Sequence, residues 1–190
     1  MSSIPTAVDL ENESIFPPFH NLPSEYLRKA PKLKSHWCFL AEIHEIVPYL
    51  RPMYTVKDKT GAEHLVVFYL DNGTRIPTAL EKSRKTYTMC IMDAVKHQFM
   101  DGQVGIRVED EKSVKILPCT LQQLFNIRDN IVNLQGVCNV CCGPSSLKCS
   151  KCKISYCGKT CQLNDWNGWH KVECKVAQQL SEWGAFDWDS

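Results

Sequence analysis

The sequence predicts an α+β protein in two parts, a small closed β-barrel followed by a smaller cysteine-rich module. Three observations carry this reading. Residues 36–117 string together short apolar, β-branched and aromatic runs separated by turn signals, which is the pattern of strands. Eight of the 11 cysteines lie between Cys138 and Cys174. The remaining composition, 44% hydrophobic and 23% charged in 190 residues, is ordinary for a globular chain and suffices for one modest domain plus a smaller one.

Taken in order, residues 1–35 hold Pro5, Pro17, Pro18, Pro23 and Pro31 and read as an arm, either flexible or strapped onto the next domain through Ile15, Phe16 and Phe19. The barrel is expected over 36–120. Trp37 to Ile43, running into Ile46-Val47, reads as a long bent first strand, and Met53–Asp58 and Leu65–Leu70 as a hairpin turning at Lys59-Thr60-Gly61, with a second turn at Asp71-Asn72-Gly73. Thr78 to Lys85 reads as a short helix and Tyr87–Met92 as another strand. Val104–Glu109 and Val114–Leu117 read as a closing hairpin around the charged turn Asp110-Glu111-Lys112. A five-stranded barrel with a helix between its third and fourth strands, the OB-fold arrangement, is the closed solution with this order. Leu121, Leu124, Phe125 and Ile131 after the candidate N-cap Thr120 predict a connecting helix or strap over 121–137. The cysteine module occupies 138–174, and an acidic, aromatic tail with Trp183, Phe186 and Trp188 fills 175–190.

Within the module the spacing is Cys138-x2-Cys141, x7, Cys149-x2-Cys152, x4, Cys157-x3-Cys161, x8, His170-x3-Cys174, or seven sulfurs and one imidazole. Eight ligands make two four-coordinate sites, and zinc takes thiolates and neutral imidazole tetrahedrally. A CxxC knuckle points two sulfurs at one ion, and ligands at i and i+4 share a helix face. Each i, i+4 pair, Cys157 with Cys161 and His170 with Cys174, therefore closes a site begun by a knuckle. Disulfides fit poorly, because the opening Met1-Ser2-Ser3-Ile4-Pro5 has no secretion signal and clustered cysteines in a reducing compartment are metal ligands. The ligand count closes both tetrahedra, so the two zinc ions are structural.

This ordered ligand set, with Tyr156-Cys157, Cys161-Gln162, Asp165-Trp166 and His170-Lys171 around it, resembles the MYND zinc finger. The resemblance implies alternating ligand pairs: Cys138, Cys141, Cys157 and Cys161 on one zinc, and Cys149, Cys152, His170 and Cys174 on the other. It departs from the family in the x8 between Cys161 and His170, where x7 is common, and Gly168 is placed to absorb the additional residue. Cys142, beside Cys141, reads as a free thiol. In MYND proteins the finger serves as a protein-interaction surface for short proline-containing peptides of transcriptional or chromatin partners, and Gln162 and Trp166 match positions that line its groove. The competing reading makes Trp166 and Trp169 mere covers for the zinc sites. The barrel, with Tyr69-Leu70-Asp71 and Val114-Lys115-Ile116-Leu117-Pro118, also resembles the domain before the finger in some fungal MYND proteins.

The functional expectation is a non-enzymatic, intracellular adaptor. No GxG cofactor loop, GxSxG elbow, P-loop or HExxH occurs, and the Asn-His and Gly-x-Gly signatures of the SET domain found around the finger in MYND methyltransferases are missing. Cys90 and His97 are the remaining nucleophile and base pair, outweighed by a buried cysteine and an ordinary strand histidine. The alternative is single-stranded nucleic acid stacked on Tyr54, Phe68, Tyr69 and Tyr87 beside Lys57, Lys59 and Arg107. Against it, residues 36–120 hold 11 basic and 11 acidic side chains and the chain's net charge is +1. In the finger, five lysines against two acids give +3, which seven thiolates and two Zn²⁺ reduce to zero. No run approaches the roughly 20 apolar residues of a membrane span.

Overall fold

The computed structural model describes residues 8–26, 32–47, 51–70, 78–134 and 136–190; the expected turn at Asp71–Gly73 lies outside them. The chain divides into two compact units. One comprises Leu10–Leu121 and Asp187–Ser190, and the other Gln122–Phe186 with Val8 and Asp9.

In the first unit the strands are β1 (Cys38–Val47), β2 (Met53–Asp58), β3 (Glu63–Phe68), β4 (Thr88–Met92), β5 (Lys96–Gln98), β6 (Val104–Val108) and β7 (Val114–Leu117), with helix α1 (Thr78–Glu81) between β3 and β4. The long first strand serves two neighbours, as its length requires. Ala41 to Val47 pairs antiparallel with β2, across an irregularity between Ile43 and Glu45, and Cys38 to Glu42 pairs with β4. Strand β2 alternates, turning Tyr54, Val56 and Asp58 inward, and its hairpin to β3 turns through Gly61 at φ +82°, where a side chain would be strained. Phe39, Ile43, Tyr54, Val56, Val66, Phe68, Met89, Ile91, Ile106 and Val108 form the core.

Closure differs from expectation. Val104–Val108 and Val114–Leu117 are not a hairpin: β6 runs parallel to β3 and antiparallel to the unpredicted β5, whereas β7 lies antiparallel to β4. Both edges of β6 are thus filled. The charged segment between them is a 3₁₀ turn over Glu111–Ser113, capped by the Asp110 carboxylate accepting from the Lys112 N–H at 2.9 Å, so it redirects the chain instead of reversing it. Strands β4 and β5 are one bent run around Asp93, whose carboxylate receives the Trp37 N–H at 3.1 Å while the Trp37 indole N–H donates to the Ala94 carbonyl at 2.9 Å. Barrel closure then runs β1-β2-β3-β6-β5/β4-β1 with a helix before β4, the OB arrangement. The helix expected to reach Lys85 ends at Glu81.

The arm is a strap over its described residues. Leu10, Phe16 and Leu22 are buried, Phe19 stacks on His64 at 3.9 Å between ring centroids, and Ser24 bridges to Lys96 of β5. Phe16 also takes the edge of Trp188, so the end of the acidic, aromatic tail is an anchored part of this unit. The strap's polar anchor is Asp58, 4% exposed. Its Oδ2 accepts from the Phe19 N–H at 2.9 Å and its Oδ1 from the Thr60 N–H and hydroxyl, with His64 Nε2 at 3.3 Å.

In the second unit α2 (Leu121–Asn133) realises the expected connecting helix, and its first N–H, on the barrel side of the division, donates to Glu42 Oε2 at 3.0 Å. A two-stranded hairpin, β8 (Leu147–Lys148) with β9 (Ser155–Tyr156), precedes α3 (Lys159–Asp165), a π-helical turn over Trp166–His170 and α4 (Lys171–Ala185). Residues 175–185 thus continue a helix, burying Val176, Ala177, Leu180 and Trp183.

Two predictions follow from the barrel. A Cβ on Gly105 would sit 2.4 Å from the Leu65 carbonyl oxygen, so Gly105→Ala should push β6 off β3, costing about 1–3 kcal/mol in thermal unfolding. Burial raises the Asp58 carboxyl, but His64, Thr60 and the Phe19 N–H outweigh it and hold it well below the usual carboxylate range. A depressed folded value means stability that is full above the ordinary pKa of about 4 and lost as pH falls toward the folded one. Asp58→Ala should therefore cost about 2–3 kcal/mol near neutrality and flatten the acid limb of a pH–stability curve.

Candidate metal centre

Two knuckles, one strand-to-helix pair and one helical pair bring the predicted ligands together; Cys157 lies before α3, so Cys157 and Cys161 do not share a helix face as their spacing predicted. At the first knuckle the Cys142 N–H donates to the Cys138 carbonyl at 2.9 Å, and at the second the Lys153 N–H donates to the Cys149 carbonyl at 3.0 Å. Lys153 adopts φ +65° to make that turn. Cys157 leaves β9 and Cys161 enters α3, while His170 ends the π-helical turn and Cys174 lies one turn into α4. The pairs alternate. In each of two sets, Cys138, Cys141, Cys157 and Cys161, then Cys149, Cys152, His170 and Cys174, the ligand atoms lie within 4.8 Å of one another.

Both sets fit zinc. Sulfurs about 2.3 Å from a tetrahedral ion stand about 3.8 Å apart, and a sulfur and an imidazole nitrogen about 3.6 Å apart. Cys141 and Cys157 Sγ are 3.7 Å apart, Cys157 and Cys161 3.4 Å, Cys149 and Cys174 3.9 Å, and Cys152 Sγ lies 3.5 Å from His170 Nε2. The thiol electrostatics also call for a cation. Burial pushes the Cys138 thiol up, but the N–H groups of Cys141, Cys157 and Val140 bring it down to about 6. In the same set the adjacent Cys157 pushes Cys161 up to about 12. Burial likewise raises Cys149, and the Cys152 N–H, His170 and the Lys151 N–H lower it to about 6, while burial holds Cys152 up. Four thiolates cannot crowd together unaided; a dication removes the repulsion that keeps their neighbours protonated.

His170 is 1% exposed, and its Nδ1 is buried without a hydrogen bond, 3.8 Å from Asp165 Oδ2. A zinc-bound histidine typically turns its other ring nitrogen to such a carboxylate. Asp165 is held for this by the Tyr156 hydroxyl at 2.7 Å and Asn139 Nδ2 at 3.0 Å, with Tyr156 fully buried. Asn139 carried no signal in the sequence, because its role depends on a partner 26 residues away.

The additional residue between Cys161 and His170 goes into the π-helical turn Trp166–His170, which contains Gly168. A π turn is what one inserted residue makes of an α-helix, so α3 and α4 stay continuous and both ligand pairs keep their register. Cys142 stands outside both sets, exposed at φ +56°.

Gln162 and Trp166 are one turn apart. Trp166 is 38% exposed, with its ring centroid 5.9 Å from that of His170, and the Gln162 amide makes no side-chain hydrogen bond among the described residues. Trp169 is 75% exposed and covers neither site. Of the barrel's stacking candidates, Tyr54 and Phe68 are buried core and Tyr87 packs against it. Tyr69 alone is flanked by cations, with the Arg51 and Arg107 guanidinium carbons 4.1 and 4.4 Å from its ring centroid. Lys57 pairs with Glu63 at 3.3 Å, and Lys59 Nζ is 3.9 Å from Glu11.

Residues 138–174 match the MYND finger family. That segment is the MYND finger of the chain, and its two interleaved ligand sets agree with the match. Similar curated proteins are ubiquitin carboxyl-terminal hydrolases of Arabidopsis thaliana: hydrolase 19, 43% identical over 49 residues, or 25% of this chain and 7% of that protein, and hydrolase 15, 28% identical over 117 residues, 58% and 12%. The chain thus spans only about a tenth of the length of these relatives. Among solved structures, similarity extends to a replication protein A heterotrimer bound to ssDNA, at 13% identity and TM-score 0.33 over 47% of this chain and 63% of that one. A further match is the S. pombe Stn1-Ten1 complex, at 15% and 0.35 over 52% and 76%. Among the described residues no helix is long and apolar enough to cross a membrane.

The purified chain should carry two zinc ions, read by metal analysis under reducing conditions; one or none would refute the two-set assignment. Structural zinc supplies on the order of 10 kcal/mol to a module this small. Chelation should therefore unfold the finger while leaving the barrel's thermal transition in place. Deleting Gly168 should turn the π turn into plain α-helix with both ions retained, whereas adding a residue there should release the His170 ion.

Proposed function

We propose that the protein is a zinc-stabilised, non-enzymatic adaptor whose MYND finger docks a short proline-containing peptide of a protein partner against Gln162 and Trp166. The observation that carries this is the pair itself: an amide with no side-chain hydrogen bond among the described residues and an indole 38% open to solvent, one helical turn apart on a frame set by the metal ligands. An extended peptide offers backbone groups to the amide and an apolar ring to the indole. The non-enzymatic part is supported by the fate of the remaining reactive pair. Cys90 is 2% exposed in β4, and His97 Nδ1 lies 2.7 Å from Glu25 Oε2.

Gln162→Ala should weaken peptide binding by about 0.5–1.5 kcal/mol with both zincs retained, since a half-exposed amide with no side-chain hydrogen bond among the described residues contributes little to folding. Trp166→Ala should abolish binding and, because the indole also contacts His170, loosen that ion in part. Calorimetry with a proline-containing peptide, paired with zinc analysis, reads both. Binding unchanged in both variants would remove this face from the account. A second reading, single-stranded nucleic acid on the barrel, rests on Tyr69 between Arg51 and Arg107; it requires oligonucleotide binding that falls with salt and with Tyr69→Ala.

A further inference from the structure

A cavity of about 360 Å³ lies within the second unit, between the end of α2 and the second knuckle. It is lined by Ile131 and Leu134 from the end of α2 and by Ile154, Lys148 and Lys153 from the knuckle and its hairpin, with both lysines exposed. Neither Gln162 nor Trp166 lines it. Interiors pack without voids of this size, and half-exposed apolar walls around an open cleft are the usual form of a binding site.

We propose that this cleft is a second docking site, taking a partner peptide that presents one bulky apolar side chain next to acidic residues. The apolar walls fix the first half of that description and charge fixes the second. Among the described residues no carboxylate lines the cleft, and no acidic residue occurs anywhere from Leu134 to Asn164. Lys148, Lys151 and Lys153 crowd the same short stretch, all exposed. Lys153 is placed in advance, its Nζ donating to the Ser150 carbonyl at 2.8 Å. The nearby zinc set, three thiolates and a dication, leaves a formal charge of only minus one, which the three lysines exceed. A peptide with an acidic flank gains beside these lysines what a basic one would lose. The site is independent of the Gln162 and Trp166 face, so either stands if the other fails.

The test uses the full zinc-loaded chain with its isoleucine and leucine methyl groups labelled for NMR. A short peptide with a central leucine between aspartates is titrated in, beside a lysine-flanked version and one with alanine at the centre. The acidic leucine peptide should give saturable shifts at Ile131, Leu134 and Ile154, and the two controls should bind at least about tenfold more weakly. Lys148→Glu should weaken the acidic peptide by about tenfold at unchanged zinc content, and Ile131→Gln should do so without a change in salt dependence. Gln162→Ala should leave it unchanged. Absence of saturable methyl shifts, equal binding of the lysine-flanked peptide, shifts confined to Leu163 beside the Gln162 and Trp166 face, or methyl shifts that grow with protein concentration alone would each overturn the proposal, the last by making the occupant a second copy of the chain.

Discussion

The finger depends on one constraint, the interleaving of two four-ligand sets. Each set takes one pair from a knuckle and one from the β9-to-α4 segment, and in sequence the pairs alternate between the ions. Neither half of the segment can complete a site alone, so the metal ties the hairpin to the helices where no apolar core of adequate size exists. The position of every other group follows. Cys161 and His170 fix two points along the helical run, the π turn adjusts the distance between them, and Gln162 and Trp166 are placed on its surface as a consequence. Asp165 links the two structural levels, since the carboxylate facing His170 is also held by Tyr156 of β9 and by Asn139 inside the first knuckle.

The barrel unit is built on different physics. Its strength is apolar burial on a sheet closed by the parallel contact of β3 with β6, which Gly105 alone permits at that distance. The one buried carboxylate among its described residues, Asp58, does locally what zinc does in the finger, gathering N–H and hydroxyl donors from the strap and the β2–β3 turn around a single charge. The two units should consequently answer to different perturbations, acid for one and chelation for the other.

How much was legible in the sequence follows the range of the interactions. Zinc ligands were readable because the chemistry demands fixed spacing between neighbours, and both sets assemble as their order implies. The first hairpin was readable for the same reason, through a glycine at the turn. Barrel closure was not: Val104–Val108 and Val114–Leu117 alternate like hairpin partners, but β5, three residues at Lys96–Gln98, already fills the edge that the hairpin needed. A strand that short has no periodicity to detect. Tyr54 and Phe68 illustrate a second limit, since the aromatics that stack bases and those that fill a core share the same residue types and strand spacing, and only burial separates them. The π turn lay between these extremes: the surplus residue before His170 was countable, while the form that absorbs it depends on keeping two ligand pairs in register.

Through this metal frame the finger holds an amide and an indole on one face and a cleft with exposed lysines at α2, the two surfaces on which the proposed adaptor function rests. All of it rests on two chemically distinct metal sites. The most direct measurement is ¹¹³Cd NMR of the cadmium-substituted chain. The account predicts two resonances of equal intensity, one from four thiolates and one shifted by the His170 nitrogen, with Cys161→Ser moving the first and leaving the second in place. A single resonance, two of identical ligation, or a Cys161→Ser change that moves the nitrogen-bearing site instead would contradict the interleaved assignment.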